Sequence, residues 1–368
     1  MTSCSMIITG GPSDLMPAVS DAVWSEQGTT PDAIEAALRE LLAERHAENG
    51  GYVPARVLNM MAFVESQWSG EIANRLRGVG RYHASRLIVL SYDPHRERLD
   101  ARASVAAEDD PKPGELILLH ETVIVEIGER HLDDLLTIAD PLVVSDLPTL
   151  LWSPHGHPEA VDALLPLAQA MLLDSVDEPA WHEAIDRASA LSERVYVVDL
   201  AWLRSTPWRE RIAATFDPPE LRAELGTITA ITVRHHPDST MAAMLLIGWL
   251  ASRLGWHLDP LIHHGETLSG KANAGHDIAL CLEAAPEQQV RGLAGLSIET
   301  ASGIQLRLDR GMGGLRAHRR DGKGNEREWT ILGASRGEAG ILGEGIRQAL
   351  LRDPTYRPAL QAAQTMLP

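Results

Sequence analysis

The sequence predicts an α/β protein: an N-terminal mixed, largely parallel sheet flanked by helices, followed by an α+β domain with an antiparallel sheet. Three observations predict it. Between residues 53 and 200 short apolar runs alternate with helical stretches, as strands and crossover helices do in parallel sheets. From residue 278 onward apolar residues alternate one by one and explicit turns separate the runs, the pattern of antiparallel ladders. Between these textures stands Asp217-Pro218-Pro219, which neither a helix nor a strand crosses intact. With 368 residues the chain suits two domains of ordinary size, expected at 29–217 and 218–368 behind a flexible tail, 1–28.

The elements follow in order. Residues 1–28 carry Gly, Ser, Pro and Asp without periodicity, hence the tail. Thr30 caps and Pro31 opens the first helix, where Ile34, Leu38, Leu41 and Leu42 share a face and Glu35 pairs with Arg39. Runs at 57–64, 87–92, 116–127, 149–152, 171–173 and 195–200 read as strands; 68–79, 131–139, 158–169 and 179–192 read as helices. The stretch 96–127 has no helix between its two strands, so an antiparallel hairpin interrupts the parallel order. Beyond the break, 227–233 reads as a strand and 240–254 as a helix apolar nearly all round. Gly248 inside that helix costs about 1 kcal/mol relative to Ala, which predicts close approach by another backbone. Gly255 ends it. Ile278, Leu280 and Leu282 then share one strand face, as do Ile304, Leu306 and Leu308. Turns fall at Ser302-Gly303 and Asp321-Gly322-Lys323-Gly324-Asn325, and a helix over 338–351 closes the pattern.

Charge and cysteine exclude several classes. The net charge is −18, and only Lys112, Lys271 and Lys323 are lysines. A field of that sign opposes nucleic acid and anionic membrane, so neither is an expected partner. Cys4 and Cys281 cannot build a disulfide framework or a cysteine-rich metal site, and they suit a reducing cytoplasm. The longest strongly apolar stretch, 241–251, is too short to span a bilayer, and no secretory pattern opens the chain.

The search for catalytic chemistry finds no consistent set. Gly333-Ala334-Ser335-Arg336-Gly337 fits G-x-S-x-G between a strand and a helix. A hydrolase of that type needs its histidine downstream, yet none follows His318, and the preceding strands read as antiparallel. A strand-to-helix turn explains the string. His155-Gly156-His157 follows a strand, where α/β proteins place ligands, but zinc needs three or four ligands and no H-E-x-x-H spacing occurs. A metal-dependent hydrolase using His155 and His157 is the alternative from another class. Gly311-Met312-Gly313-Gly314 lacks the third glycine of a dinucleotide fingerprint, and no P-loop is present. No cofactor is expected.

One segment reverses the charge. Residues 302–336 hold Arg307, Arg310, Arg316, Arg319, Arg320, Lys323, Arg327 and Arg336 against four acids, a local +4. Arg307 alternates with Leu306 and Leu308 and so points away from the core. Such a strip is either a solvated sheet face or a docking surface for an acidic protein or phosphorylated ligand. An RNA-binding module is a third reading, with Trp329 as its single stacking aromatic.

Several strings resemble one family. Asp199-Leu200-Ala201-Trp202, then Thr206-Pro207-Trp208-Arg209-Glu210, resembles the D-L-x-W…T-P-W-R-E signature of the glucose-6-phosphate dehydrogenase assembly proteins, the OpcA family. Gly248-Trp249-Leu250-Ala251-Ser252-Arg253-Leu254-Gly255-Trp256 is similar to its G-W-L-A-S-R-L-G-W helix. Arg81-Tyr82-His83-Ala84-Ser85-Arg86 resembles its R-x-H-P-S-R strand entry, with Ala84 where proline is usual. Leu151-Trp152-Ser153-Pro154 resembles its L-W-W-P turn, with Ser153 replacing a tryptophan. The likeness spans about 50–256 and is weaker beyond, resting there on the closing helix and its exit Arg352-Asp353-Pro354-Thr355-Tyr356.

The resemblance implies a non-enzymatic role: binding glucose-6-phosphate dehydrogenase, promoting its assembly and activating it allosterically in the oxidative pentose phosphate pathway. In photosynthetic relatives the system is tied to redox control; here Cys4 falls in the tail and Cys281 in a strand, so no switch between them is expected. Candidate partner contacts are Arg307, Arg316, Arg319, Arg320, Arg327 and Trp329, with Trp202, Trp208, Arg209, His83 and Arg86 from the signatures. Each signature tryptophan can equally be core; six residues apart, the two would not share one helix face.

Overall fold

The computed structural model describes residues 22–48, 50–54, 56–80, 85–107, 117–176, 178, 180–332 and 337–368. Strands β1 (Ala22–Glu26), β2 (Tyr52–Pro54), β3 (Leu58–Glu65), β4 (Ser85–Tyr92), β5 (Asp100–Ala107), β6 (Ile117–Ile127), β7 (Thr149–Trp152), β8 (Ala170–Leu173) and β9 (Tyr196–Asp199) form the first sheet. Its order is β1-β5-β6-β4-β3-β7-β8-β9, with β2 beside β6. From β6 to β9 all strands run parallel, while β5 is antiparallel to β6 and β1 to β5. The hairpin expected over 96–127 is therefore the β5–β6 pair. Residues 22–26, read from the sequence as part of a loose tail, instead form the edge strand β1.

Helices α1 (Pro31–Glu48), α2 (Ser69–Gly80), α3 (Leu135–Ala139), α4 (Pro158–Leu164) and α5 (Trp181–Arg194) serve as connections. α4 is shorter than the periodicity of 158–169 suggests, because Pro166 supplies no amide hydrogen and the chain tightens there into a 3₁₀ turn. β3 and β4 are buried almost end to end, so both of their faces are covered, and for this reason they read as continuous apolar runs.

After β9 come α6 (Leu200–Arg204), α7 (Thr206–Phe216) and α8 (Pro219–Arg222). Pro207 occupies the first turn of α7, and the chain breaks at Ser205 rather than continuing one helix. The second sheet comprises β10 (Ile228–His235), β11 (His257–Leu258), β12 (Ile262–His264), β13 (Thr267–Asn273), β14 (Asp277–Ala284), β15 (Leu293–Thr300), β16 (Gln305–Gly311), β17 (Gly314–Arg320) and β18 (Glu326–Leu332). Its order is β11-β13-β14-β10-β15-β16-β17-β18, with β12 beside β13. All pairs are antiparallel except one. β10 lies in the middle and runs parallel to β14.

That exception follows from α9 (Thr240–Leu254), which carries the chain away from β10 and packs back on β10 and β14. Its other side meets α11 (Tyr356–Gln364). At Gly248 an added Cβ would lie 2.2 Å from the Ala359 carbonyl oxygen, so the glycine expected to permit a close backbone does so against α11. Gly255 ends α9 at φ 71°, the left-handed position expected of it. α10 (Gly337–Leu351) returns to the first sheet and packs on α2, α6, β8 and β9.

Candidate functional site

The signature strings meet in one buried cluster. Asp199 ends β9 and caps α6: its Oδ1 accepts from the amides of Ala201 (2.9 Å) and Ser175 (3.2 Å). Its Oδ2 accepts from the Tyr356 hydroxyl, 3.2 Å away on α11. Burial, reinforced by Asp174, pushes the carboxyl up to about 6 from its ordinary 3.8. Burial and the neighbouring Asp199 also hold the Tyr356 phenol well above its usual range.

Trp202 donates its Nε1 hydrogen to Asp353 Oδ2 at 2.8 Å, and Tyr356 meets its ring edge-on at 5.7 Å. The Arg209 guanidinium stacks 3.5 Å from the centre of the Trp202 ring. That guanidinium also donates to Ser205 Oγ, Thr206 Oγ1 and the Trp202 carbonyl, and approaches Asp353 to 4.0 Å. Burial lowers it from the ordinary guanidinium range to about 10. Asp353 in turn accepts from the amide of Thr355, fixing the entry to α11. Its carboxyl stays below the ordinary range: burial opposes ionisation, but donors from Thr355 and Trp202 and the charge of Arg209 outweigh it.

This arrangement is an interior joint between β9–α7 and α11, not an outer face. Trp202 and Trp208 are each 2 % exposed, so both signature tryptophans are core, and Arg209 is buried with them. Arg86 is likewise enclosed: it pairs with Glu121 (2.9 Å) and Glu35 (2.7 Å) and donates to the Leu142 carbonyl, while Arg56 also pairs with Glu121. A guanidinium so engaged ties β4 to β6 and α1 and has no surface to offer a partner. His83 lies outside the described residues, as does the stretch 333–336 of the G-x-S-x-G string.

The basic strands divide between the two faces of the second sheet. Cross-strand partners share a face, and the register places Arg307 with His318 and Glu328, and Asp309 with Arg316. Arg320, opposite Gln305 and Glu326, joins this open face. Arg319, Arg327 and Trp329 sit on the opposite face, as does Arg310, which donates to the Leu293 carbonyl. The Arg327 guanidinium lies 5.5 Å from the half-buried Trp329 ring. The local +4 thus dissolves in the fold. On the open face Lys271, Arg234, Arg307, Arg316 and Arg320 interleave with Asp277, Glu283, Glu299, Asp309, Glu326 and Glu328. Period-two alternation separates residues that adjoin in sequence.

His155 and His157 lie just beyond the carboxyl end of β7. The sheet order reverses between β3 and β7, so this is the crevice where open α/β sheets receive ligands. His157, in the left-handed region at φ 61°, packs against Phe63 at 5.0 Å and stands 4.0 Å from Glu65. Burial lowers its pKa, favouring the neutral ring. Among the described residues no group of three or more His, Cys, Asp or Glu is placed to hold a metal ion. Cys281 lies on the open sheet face beside Glu283; burial, then that carboxylate, push its thiol up to about 11, a poor nucleophile.

Asp353 and Tyr356 hold this joint together, yet nothing local in the sequence marks either as a contact. The R-D-P-T-Y string was the available signal, but its partner lies 151 residues upstream at Trp202.

Two family models match the chain. One, OpcA_G6PD_assem, described as the glucose-6-phosphate dehydrogenase subunit N-terminal domain, covers residues 77–190. The other, OpcA_G6PD_C, described as the subunit's C-terminal domain, covers 195–360. Among curated proteins, the OxPP cycle protein OpcA of Synechocystis is 31 % identical over 119 residues, 31 % of this chain and 25 % of that protein. Its Synechococcus elongatus namesake is 28 % identical over 141 residues, 37 % of this chain and 32 % of that protein. The matched stretch therefore spans a quarter to a third of the relatives' length. Solved structures of D-galactose-1-dehydrogenase from Rhizobium etli and scyllo-inositol dehydrogenase from Lactobacillus casei align over 85 % of this chain and 96 % of their own. Both have a TM-score of 0.45, with 11 % and 12 % identity, and nothing about activity carries over at that level.

Proposed function

The chain belongs to the glucose-6-phosphate dehydrogenase assembly protein family, OpcA, and from that premise we propose that it is a non-catalytic partner of glucose-6-phosphate dehydrogenase. In this reading it works in the cytoplasm at the head of the oxidative pentose phosphate pathway, binding the dehydrogenase and promoting its active assembly. The two family matches, lying end to end across 77–360, carry the reading. Among the described residues no helix is long and apolar enough to cross a membrane.

Such a partner raises activity only by binding the active state or oligomer better than its alternatives. The test is a dehydrogenase assay with and without the purified chain, with complex size followed by light scattering. A lower KM for glucose 6-phosphate or a larger assembly supports the reading. No complex and no change in kcat, KM or size rejects it.

For the docking surface the open face of the second sheet is the candidate, with Arg307, Arg316 and Arg320 as its cations. Interleaved charges favour a partner whose own charges match in register rather than one that is merely acidic. Arg316→Glu then weakens a pull-down of the dehydrogenase, while Arg319→Glu, on the opposite face, leaves it intact. Retention of wild-type binding by Arg316→Glu at low and moderate salt would remove this face from consideration.

A further inference from the structure

A cavity lies at the other end of the first sheet from the histidine loop. It measures about 830 Å³ and opens between the amino ends of β8 and β9 and the corner joining α10 to α11. Three arginines line it: Arg352, Arg357 and Arg194, the last paired with Asp162. Glu193 and Asp353 line it too, but the Asp353 carboxylate is engaged inward by Trp202, Thr355 and Arg209. Arg352 and Arg357 are thus the cations that this cavity offers a ligand, in a chain of net charge −18.

Arg352 adds an independent observation. It follows the last residue of α10, its amide bonded to the Gln348 carbonyl at 2.8 Å, with φ at 57°. Glycine normally fills that left-handed position, because a Cβ is strained there. Here an arginine occupies it, its guanidinium 5.6 Å from the centre of the Tyr196 ring, at the cavity. Strained residues that keep a large side chain gather at ligand clamps.

We propose that this cavity binds a small oxyanion ligand, a phosphate ester or free phosphate, through Arg352 and Arg357, with Arg194 at its edge. Planar guanidiniums give phosphate oxygens paired hydrogen bonds, and the cavity has room beyond the phosphate for a sugar. The proposal does not depend on the dehydrogenase reading, since it concerns the chain alone.

Calorimetric titration at constant ionic strength with inorganic phosphate and, separately, a hexose phosphate tests it. Saturable binding is expected, weakened at least tenfold by Arg357→Gln and by Arg352→Gly. The glycine variant is the decisive control: it removes the side chain and relieves the backbone, so its Tm holds or rises while binding falls. Tighter binding of the hexose phosphate identifies the ester as ligand; equal binding identifies free phosphate. No saturable binding below about 1 mM for either probe, or equal binding by wild type and both variants, overturns the proposal.

Discussion

Arg209 shows how one side chain joins distant segments. It stacks on Trp202, donates within its own turn and approaches Asp353, so its removal opens a hole beside the buried Trp202 ring and leaves the half-buried Asp353 carboxylate with only its Trp202 and Thr355 donors. Arg209→Ala is expected to lower stability by about 2–4 kcal/mol, read as a shift in the urea midpoint. Asp199 yields a signed pH effect. Its folded carboxyl titrates near 6 against an ordinary 3.8, so over that interval the native state holds a proton that the unfolded state has released. Stability from this group is therefore greatest below the lower value and falls as pH rises to the upper one. Between about pH 5 and pH 7 the loss is about 1 kcal/mol. Asp199→Asn, which can keep the backbone acceptor and face Tyr356 with its amide, flattens that part of the profile; an unchanged slope would refute the assignment.

At the scale of elements, α9 is the hinge of the packing. It is apolar nearly all round because a sheet lies against one side and α11 against another. Gly248→Ala should gain about 1 kcal/mol of helix propensity, yet its Cβ would stand 2.2 Å from the Ala359 carbonyl oxygen. Forcing α9 and α11 apart costs about 1–3 kcal/mol, so net destabilisation is expected, measured by thermal unfolding. The helix, its terminating Gly255 and the close backbone were all legible in the sequence, since each follows from local pattern. The identity of the approaching element was not. α11 appears in the sequence reading only as the exit string after the closing helix.

For the whole molecule, the C-terminal segment holds the two sheets together. α10 packs on the first sheet, while α11 lies against α5 and α9 and carries Tyr356 to Asp199. Removing residues 356–368 should uncover the Gly248 side of α9 and leave Asp199 without its hydroxyl donor. Calorimetry is expected to show a lower and broader transition; a single unaltered peak would contradict this role.

By itself the sequence determined the class of both sheets, the hairpin, the buried helix and the family, because these rest on periodicity, turn chemistry and contiguous strings. Only the tertiary structure decided which residues face outward. Trp202 and Arg86 looked like contacts and are interior, because their partners, Asp353 and Glu121, come from remote segments. The basic strip looked like one patch, but pleating sends neighbours to opposite faces and cross-strand pairing interleaves the rest with acids. Local pattern specifies an element and its two sides; which side meets solvent is set by long-range contacts that local pattern does not encode.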